Sequence, residues 1–352
     1  MNNVVIAGVG KYIPSKIVTN NMLSQIVETS DEWIVSRTGI KQRHITTNEN
    51  TSDIASEAAL NAIHDSNIDA CDIDLIIVAT CTPDMYTPAT ACIVQKNIGA
   101  KNAFAFDLGA ACSGFIYGIN VAKSIMVSND IKKALVIGAE TLSKSIDWND
   151  RSTCVLFGDG AGAVVLSLSE NEGILDVICK SKGIKWENLT IGAKDLTNPY
   201  IDEKIRMNPY LNMNGSEIFK FATVEIVSLI KQILKDNNLS LEDIAYIIPH
   251  QANERIIQFA AKKLEIPVDK FYINIDEYGN TSAASIPIAI SEMSEKNLLK
   301  SFSKKGKPLV KKAETFGIRL KKLKREELSI FKNITKETSE RREYSDKSLE
   351  YY

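Results

Sequence analysis

Histidine is scarce in this chain of 352 residues, with three in all (His44, His64 and His250), so any chemistry that needs an imidazole has few places to sit. The six cysteines, Cys71, Cys81, Cys92, Cys112, Cys154 and Cys179, form no CxxC pair and have no histidine at zinc-site spacing. That argues against a disulfide framework and against a structural metal, and we expect no metal site. No apolar run is long enough to span a bilayer, and the first residues lack the basic region of a secretory leader. The expectation is a cytoplasmic protein that binds neither membrane nor nucleic acid. The run Gly158-Asp159-Gly160-Ala161-Gly162 lacks the spacing and the Lys-Ser/Thr of a phosphate loop, and the apolar strand that follows it favours tight packing.

Charge is nearly balanced overall, at −2, but unevenly spread. From Ser301 onward 15 Lys and Arg face 8 Asp and Glu, so the end is a different kind of sequence from the acidic remainder. A length of 352 residues exceeds what one core usually covers, so two domains or fused halves are expected. An internal repeat supports fused halves. Asn67-Ile68, Asp72-Ile73 and Ile76-Ile77 recur as Asn238-Leu239, Asp243-Ile244 and Ile247-Ile248, each 171 positions on (248 minus 77). The alanine-rich helix expected over Thr51–Ser66, with Thr51 or Ser52 as its cap, lines up with Ala222–Asn237. Phe106-Asp107 pairs with Ile275-Asp276 at a displacement shorter by two. Equivalent turns of a pseudo-twofold pair meet near the axis, which brings Asn280 towards Cys112.

Cys112 stands where a buried strand over Ala103–Leu108 gives way to small residues and then a helix. The unpaired N–H groups and dipole of that helix favour thiolate over thiol, and Gly109, Ala110, Ala111, Ser113 and Gly114 leave room for an acyl group. Such a cysteine needs a partner. His44 follows Lys41, Gln42 and Arg43 in what reads as a solvated basic turn, and His64 falls on an exposed helical position. His250 ends an apolar strand, Ala245–Pro249, and strand tips are where α/β proteins place working residues. Ser30 caps a helix that sets Trp33 and Arg37 four apart on one face, suited to stacking a base and pairing a phosphate, or to a solvated surface.

Cys112, His250 and Asn280, in Asp107–Gly114, His250-Gln251-Ala252-Asn253-Glu254-Arg255-Ile256 and Gly279–Pro287, closely resemble the β-ketoacyl-acyl-carrier-protein synthase III family. The resemblance runs from about Val4 to about Leu299. It implies an α/β, thiolase-like fold of duplicated halves, with mixed sheets layered between helices. The halves would be residues 1–170 with Cys112 and 171–303 with His250 and Asn280, leaving 304–352 as an atypical basic segment. It implies that Cys112 takes an acyl group from a short acyl-CoA, after which malonyl-acyl-carrier protein loses carbon dioxide and its enolate attacks the thioester. His250 and Asn280 would donate hydrogen bonds to the thioester oxygen.

By the same resemblance Trp33 and Arg151 sandwich the coenzyme A adenine and Arg37 meets its phosphates, while Gly215, Phe219 and Asn253 contact the pantetheine arm. Thr87 would close the primer pocket from across a homodimer interface, leaving room for branched primers. Gln251, Ala252, Asn253, Glu254, Arg255, Lys262 and Lys263 would meet the acidic acyl carrier protein. Coenzyme A thioester is substrate, and no further cofactor is expected. Alternatives are an acyltransferase of the same fold in polyketide or secondary-lipid priming, or a catalytically impaired homologue with a replaced C-terminus. The family ends in two apolar strands joined by a Gly-Phe-Gly-x-Gly-Leu loop, of which only Phe316-Gly317 and Leu320 are echoed here.

Overall fold

The structure is a computed structural model that describes residues 3–129, 131–170 and 173–301, and of residues 297–301 only the helical path. The strands are β1 Asn3–Tyr12, β2 Lys16–Thr19, β3 Gln42–Ile45, β4 Leu75–Ala79, β5 Phe104–Leu108, β6 Lys133–Glu140, β7 Gly160–Ser169, β8 Leu189–Ile191 and β9 Leu211–Met213. The helices are α1 Asn20–Leu23, α2 Asp31–Thr38, α3 Thr51–Ser66, α4 Thr90–Ile98, α5 Gly114–Asn129, α6 Arg151–Cys154, α7 Gly215–Asp236, α8 Glu254–Leu264, α9 Ile275–Tyr278 and α10 Ser285–Ser301. The described residues up to Glu295 form one compact unit.

Five strands make the main sheet in the order β1-β7-β6-β4-β5. β4 runs parallel to β5 and β6, whereas β7 pairs antiparallel with β6 and β1, so the sheet is mixed. Both faces are covered. Every residue of β4 is buried, as expected of a strand with helices on either side. On one face Ile54, Ala58 and Ala62 of α3 pack on Ile76, Leu135 and Val165; on the other, Phe115, Ile119 and Met126 of α5 meet Ile77, Val136 and Val164. Gly160 and Gly162 allow close approach: a Cβ on Gly162 would lie 2.5 Å from the Ile288 nitrogen. The glycine run is therefore a packing device, as its sequence suggested.

Local signals behave unevenly. Ser30 caps α2 by accepting from Trp33 N–H, and Gly39 ends it at φ 82°. The cap of α3, however, is Asn50, in a capping box with Asp53, and not Thr51 or Ser52. Thr51 is buried instead, and its hydroxyl bonds Thr82 and Thr141. Of the basic turn expected at Lys41–His44, all but Lys41 lies in strand β3. Arg43 lies fully buried in it and donates to Val18 O, Asn20 Oδ1 and Val155 O. Its neighbour His44 is half-buried rather than solvated, with Nδ1 at 2.6 Å from Pro14 O.

The repeat is visible in the backbone. Asn67 and Asn238, equivalent positions, both adopt left-handed conformation, at φ 55° and 54°. So do Ala111 and Ser282, at 45° and 49°. The displacement thus returns to 171 at the turns, although Ile275-Asp276 begins a helix where Phe106-Asp107 lies in a strand. Two equivalent helices differ in one respect: α3 buries nine of its residues, α7 only Thr223. The expected strand Ala245–Pro249 is likewise half-exposed. Among the described residues it makes a single parallel bridge, Ile247 to Phe271, because no strand pairs with its other edge.

Candidate active site

Cys112 occupies the single turn Ala111–Ser113 between β5 and α5. That turn packs against the equivalent one, Ser282–Ala284, as the pseudo-twofold argument required. The second turn also lies tightly on β6, since a Cβ on Gly138 would lie 2.2 Å from Ala283 O. The Cys112 turn is anchored through β5, where the Asp107 carboxylate accepts from Thr90 and Ala91 N–H at 2.7 Å and caps α4, which has no cap of its own.

Cys112 lines a cavity of about 570 Å³ together with Cys81 and Ser282, walled by apolar Met85, Leu142, Phe157, Leu189 and Leu211. Thr87 is not among the lining residues; it is exposed in the loop just beyond Met85 and Tyr86. The helix dipole does not decide the state of the thiol. Burial pushes Cys112 up to about 11, and the Glu140 carboxylate adds to that, while Ser282 opposes it. The expected bias towards resting thiolate is therefore overturned: loss of water outweighs the N–H groups.

Asn280 is buried by two backbone bonds, its N–H to Leu156 O and its carbonyl from Gly158 N–H. Its Oδ1 accepts from Ser282 N–H at 2.9 Å, which leaves the NH2 end as the donor. His250 Nδ1 lies 2.6 Å from Ser285 Oγ at the start of α10, so the imidazole is tied to the same turn. Gln251 N–H donates to that same Oγ. Burial lowers His250 to about 4 and keeps it neutral. His250 opens on a second, apolar groove of about 590 Å³ that also contains Ser113, so the Cys112 turn divides two cavities.

A separate cluster forms on the surface. Arg37 and Arg151 stack on the Trp33 ring at 4.8 and 4.9 Å, and Arg151 also bonds Glu28 O. Asn253 caps α8 and donates to Arg37 O, and Arg255 lies over Phe219 at 5.6 Å. Gly215 opens α7, capped by Asn214. Arg255, Lys262 and Lys263 are exposed, and Ala252 and Glu254 half-buried. Gln251 is not on the surface. At 1% exposure it braces the segment from within by bonding Pro249 O, Tyr272 O and Asn274 N–H, so it cannot meet a partner protein.

The family model described as 3-Oxoacyl-[acyl-carrier-protein (ACP)] synthase III matches residues 106–183, and its C-terminal companion matches 234–304. A curated relative, beta-ketoacyl-[acyl-carrier-protein] synthase III of Clostridium acetobutylicum, is 56% identical over 304 residues, covering 86% of this chain and 94% of that protein. The chain belongs to the 3-oxoacyl-[acyl-carrier-protein] synthase III family. Solved synthase III structures agree: that of Aquifex aeolicus is 42% identical with a TM-score of 0.73, covering 84% of this chain and 92% of that one. That of Thermus thermophilus is 40% identical with a TM-score of 0.77, covering 83% and 91%. A third family model, FemAB, matches residues 277–352 and overlaps the synthase match only over 277–304.

For this synthase III chain the fold expected from the sequence is therefore the one observed. Three members of the Cys112 neighbourhood escaped sequence reading, namely Cys81, Glu140 and Ser282. A lone acid ending the apolar run Ala134–Ala139 was the available signal for Glu140.

Proposed function

We propose that this chain condenses a short acyl-CoA primer with malonyl-acyl-carrier protein to give 3-oxoacyl-acyl-carrier protein, the initiating step of fatty-acid synthesis. Cys112 attacks the primer thioester and releases coenzyme A thiol. Malonyl-acyl-carrier protein then loses carbon dioxide, and its enolate attacks the acyl-Cys112 carbonyl, expelling the cysteine sulfur. His250 Nε2–H and the Asn280 NH2 stabilise the oxygen on which enolate charge develops. The observation that carries this reading is the convergence of the Cys112 turn with the Asn280–Ser285 turn, to which His250 is tied. Family membership supports it, and so does the 570 Å³ apolar-walled cavity beside Cys112.

Trp33, Arg37 and Arg151 are read as the coenzyme A nucleotide contacts. Their guanidinium groups are exposed and able to swing off the indole to admit a base. Gly215, Phe219 and Asn253 are read as pantetheine contacts, and Arg255, Lys262 and Lys263 as contacts to the acidic carrier protein. A homodimer placing Thr87 in its partner's pocket, a cytoplasmic setting and the absence of any cofactor beyond the thioester belong to the same proposal. No helix among the described residues is long and apolar enough to cross a membrane.

The halves 1–170 and 171–303 are read as duplicates, supported by the paired left-handed turns. Residues 304–352 lie outside the described residues, as do the expected counterparts of the family's final strands. We read them as a segment of different origin, because past residue 304 only the FemAB match continues. The deciding experiment combines covalent labelling by radiolabelled acyl-CoA with malonyl-dependent carbon dioxide release. Wild type should do both and Cys112→Ala should take no label while remaining folded; label retained in the variant would remove Cys112 from the mechanism.

A further inference from the structure

Glu140 ends β6 with no exposure to solvent. Its carboxylate accepts from Thr82 Oγ1 at 2.6 Å, Thr80 Oγ1 at 3.2 Å, Cys81 N–H at 3.1 Å and the Cys81 thiol at 3.3 Å. Burial raises its pKa, which makes it a stronger base than an exposed carboxylate. Ser282 is buried too, lines the Cys112 cavity, and its side chain interacts with Cys112, Cys81 and Glu140, opposing the rise of each pKa. Its hydroxyl reaches full hydrogen-bond geometry with none of them, and its backbone sits in the left-handed region that a serine adopts only under strain. A buried hydroxyl without a well-placed partner is destabilising, so stability alone would favour alanine or glycine here.

We propose that Ser282 relays the proton of the Cys112 thiol to the Glu140 carboxylate during acyl transfer, and returns it to the departing coenzyme A sulfur. The Cys112 S–H bond breaks as the S–C bond to the acyl carbon forms. Ser282 Oγ takes that proton and passes its own to Glu140. When the acyl carbon releases the coenzyme A sulfur, the same two groups deliver the proton to it, so nothing is oxidised and Glu140 ends ionised. Ser282 touches the reacting sulfur, whereas Glu140 acts through it. The charged and titratable groups facing Glu140 are Cys81 beyond β4, Cys112 before α5 and Lys144 just after β6, itself beside Asp84 and Asp159.

This inference rests on Cys112 being the nucleophile of the proposed reaction, so its test includes a reagent that needs no acyl-CoA. Ser282→Ala removes the hydroxyl and little else, and Glu140→Gln keeps a carbonyl for Thr82 and an NH2 for the Cys81 sulfur. Cys112 modification would be followed by mass spectrometry with iodoacetamide and by rapid quench with acetyl-CoA, from pH 6 to 9, in water and in heavy water. Both variants should react at least tenfold more slowly than wild type at pH 7 and lose the solvent isotope effect. Ser282→Ala reacting at the wild-type rate with iodoacetamide would overturn the relay, and that arm decides even where Glu140→Gln fails to fold. Wild type alkylated through the relay but never acylated would instead overturn the acyl-transfer reading alone.

Discussion

Ala111 and Ser282, 171 positions apart, hold the same left-handed backbone at the two turns that meet beside the nucleophile. Neither is glycine. A β-branched residue tolerates that region least, so Ala111→Val should destabilise the protein by about 1–3 kcal/mol, while Ala111→Gly should change it little. Urea denaturation of the two variants makes the comparison, and equal losses would show that the turn is not strained.

Gly138 faces the carbonyl of Ala283 so closely that a methyl group would sit 2.2 Å from it. Neither backbone can give way cheaply. Gly138→Ala should therefore cost about 1–3 kcal/mol as an overpacking change, and should reduce acylation of Cys112 more than an equally destabilising substitution remote from the turn.

His250 gives stability a pH dependence of known sign. Its folded pKa of about 4 lies below the ordinary 6.5, so between those values the unfolded chain binds the proton and the folded one does not. Stability should fall as pH drops from 6.5 towards 4, by up to about 3 kcal/mol from this group. Urea midpoints across that range should decline more steeply for wild type than for His250→Gln. In catalysis, His250→Ala and Asn280→Ala should spare acyl transfer to Cys112 more than condensation, which separate assays of the half-reactions would reveal.

Arg255 is exposed beside Lys262 and Lys263 on α8. Arg255→Glu should raise KM for malonyl-acyl-carrier protein with little effect on acyl-CoA, and the effect should shrink with salt because exposed charges are screened. A salt-independent change would indicate a structural role.

What the sequence disclosed and what it hid divide along a physical line. The turn at Cys112 and its meeting with the Ser282 turn were legible because a run of small residues and an internal repeat can be read along the chain. Burial is not local. Arg43 and Gln251 look like surface residues in a list of neighbours, yet both are buried by elements far along the chain. The thiol's resting state was misjudged for the same reason, since desolvation depends on the packing of β4, β6 and the second turn, none of which adjoins Cys112 in sequence. Asn50 rather than Thr51 caps α3 because Thr82 and Thr141 claim the Thr51 hydroxyl, another distant competitor.

The unequal burial of α3 and α7 has a kinetic meaning. Two helices at equivalent positions of the sequence repeat are fastened to the same molecule with very different holds, nine buried residues against one. Amide protons of α7 should exchange with solvent through brief openings of that helix alone, while those of α3 wait for the main sheet to come apart. The repeat would then be read in time as well as in space, as a fast-breathing helix beside a slow one.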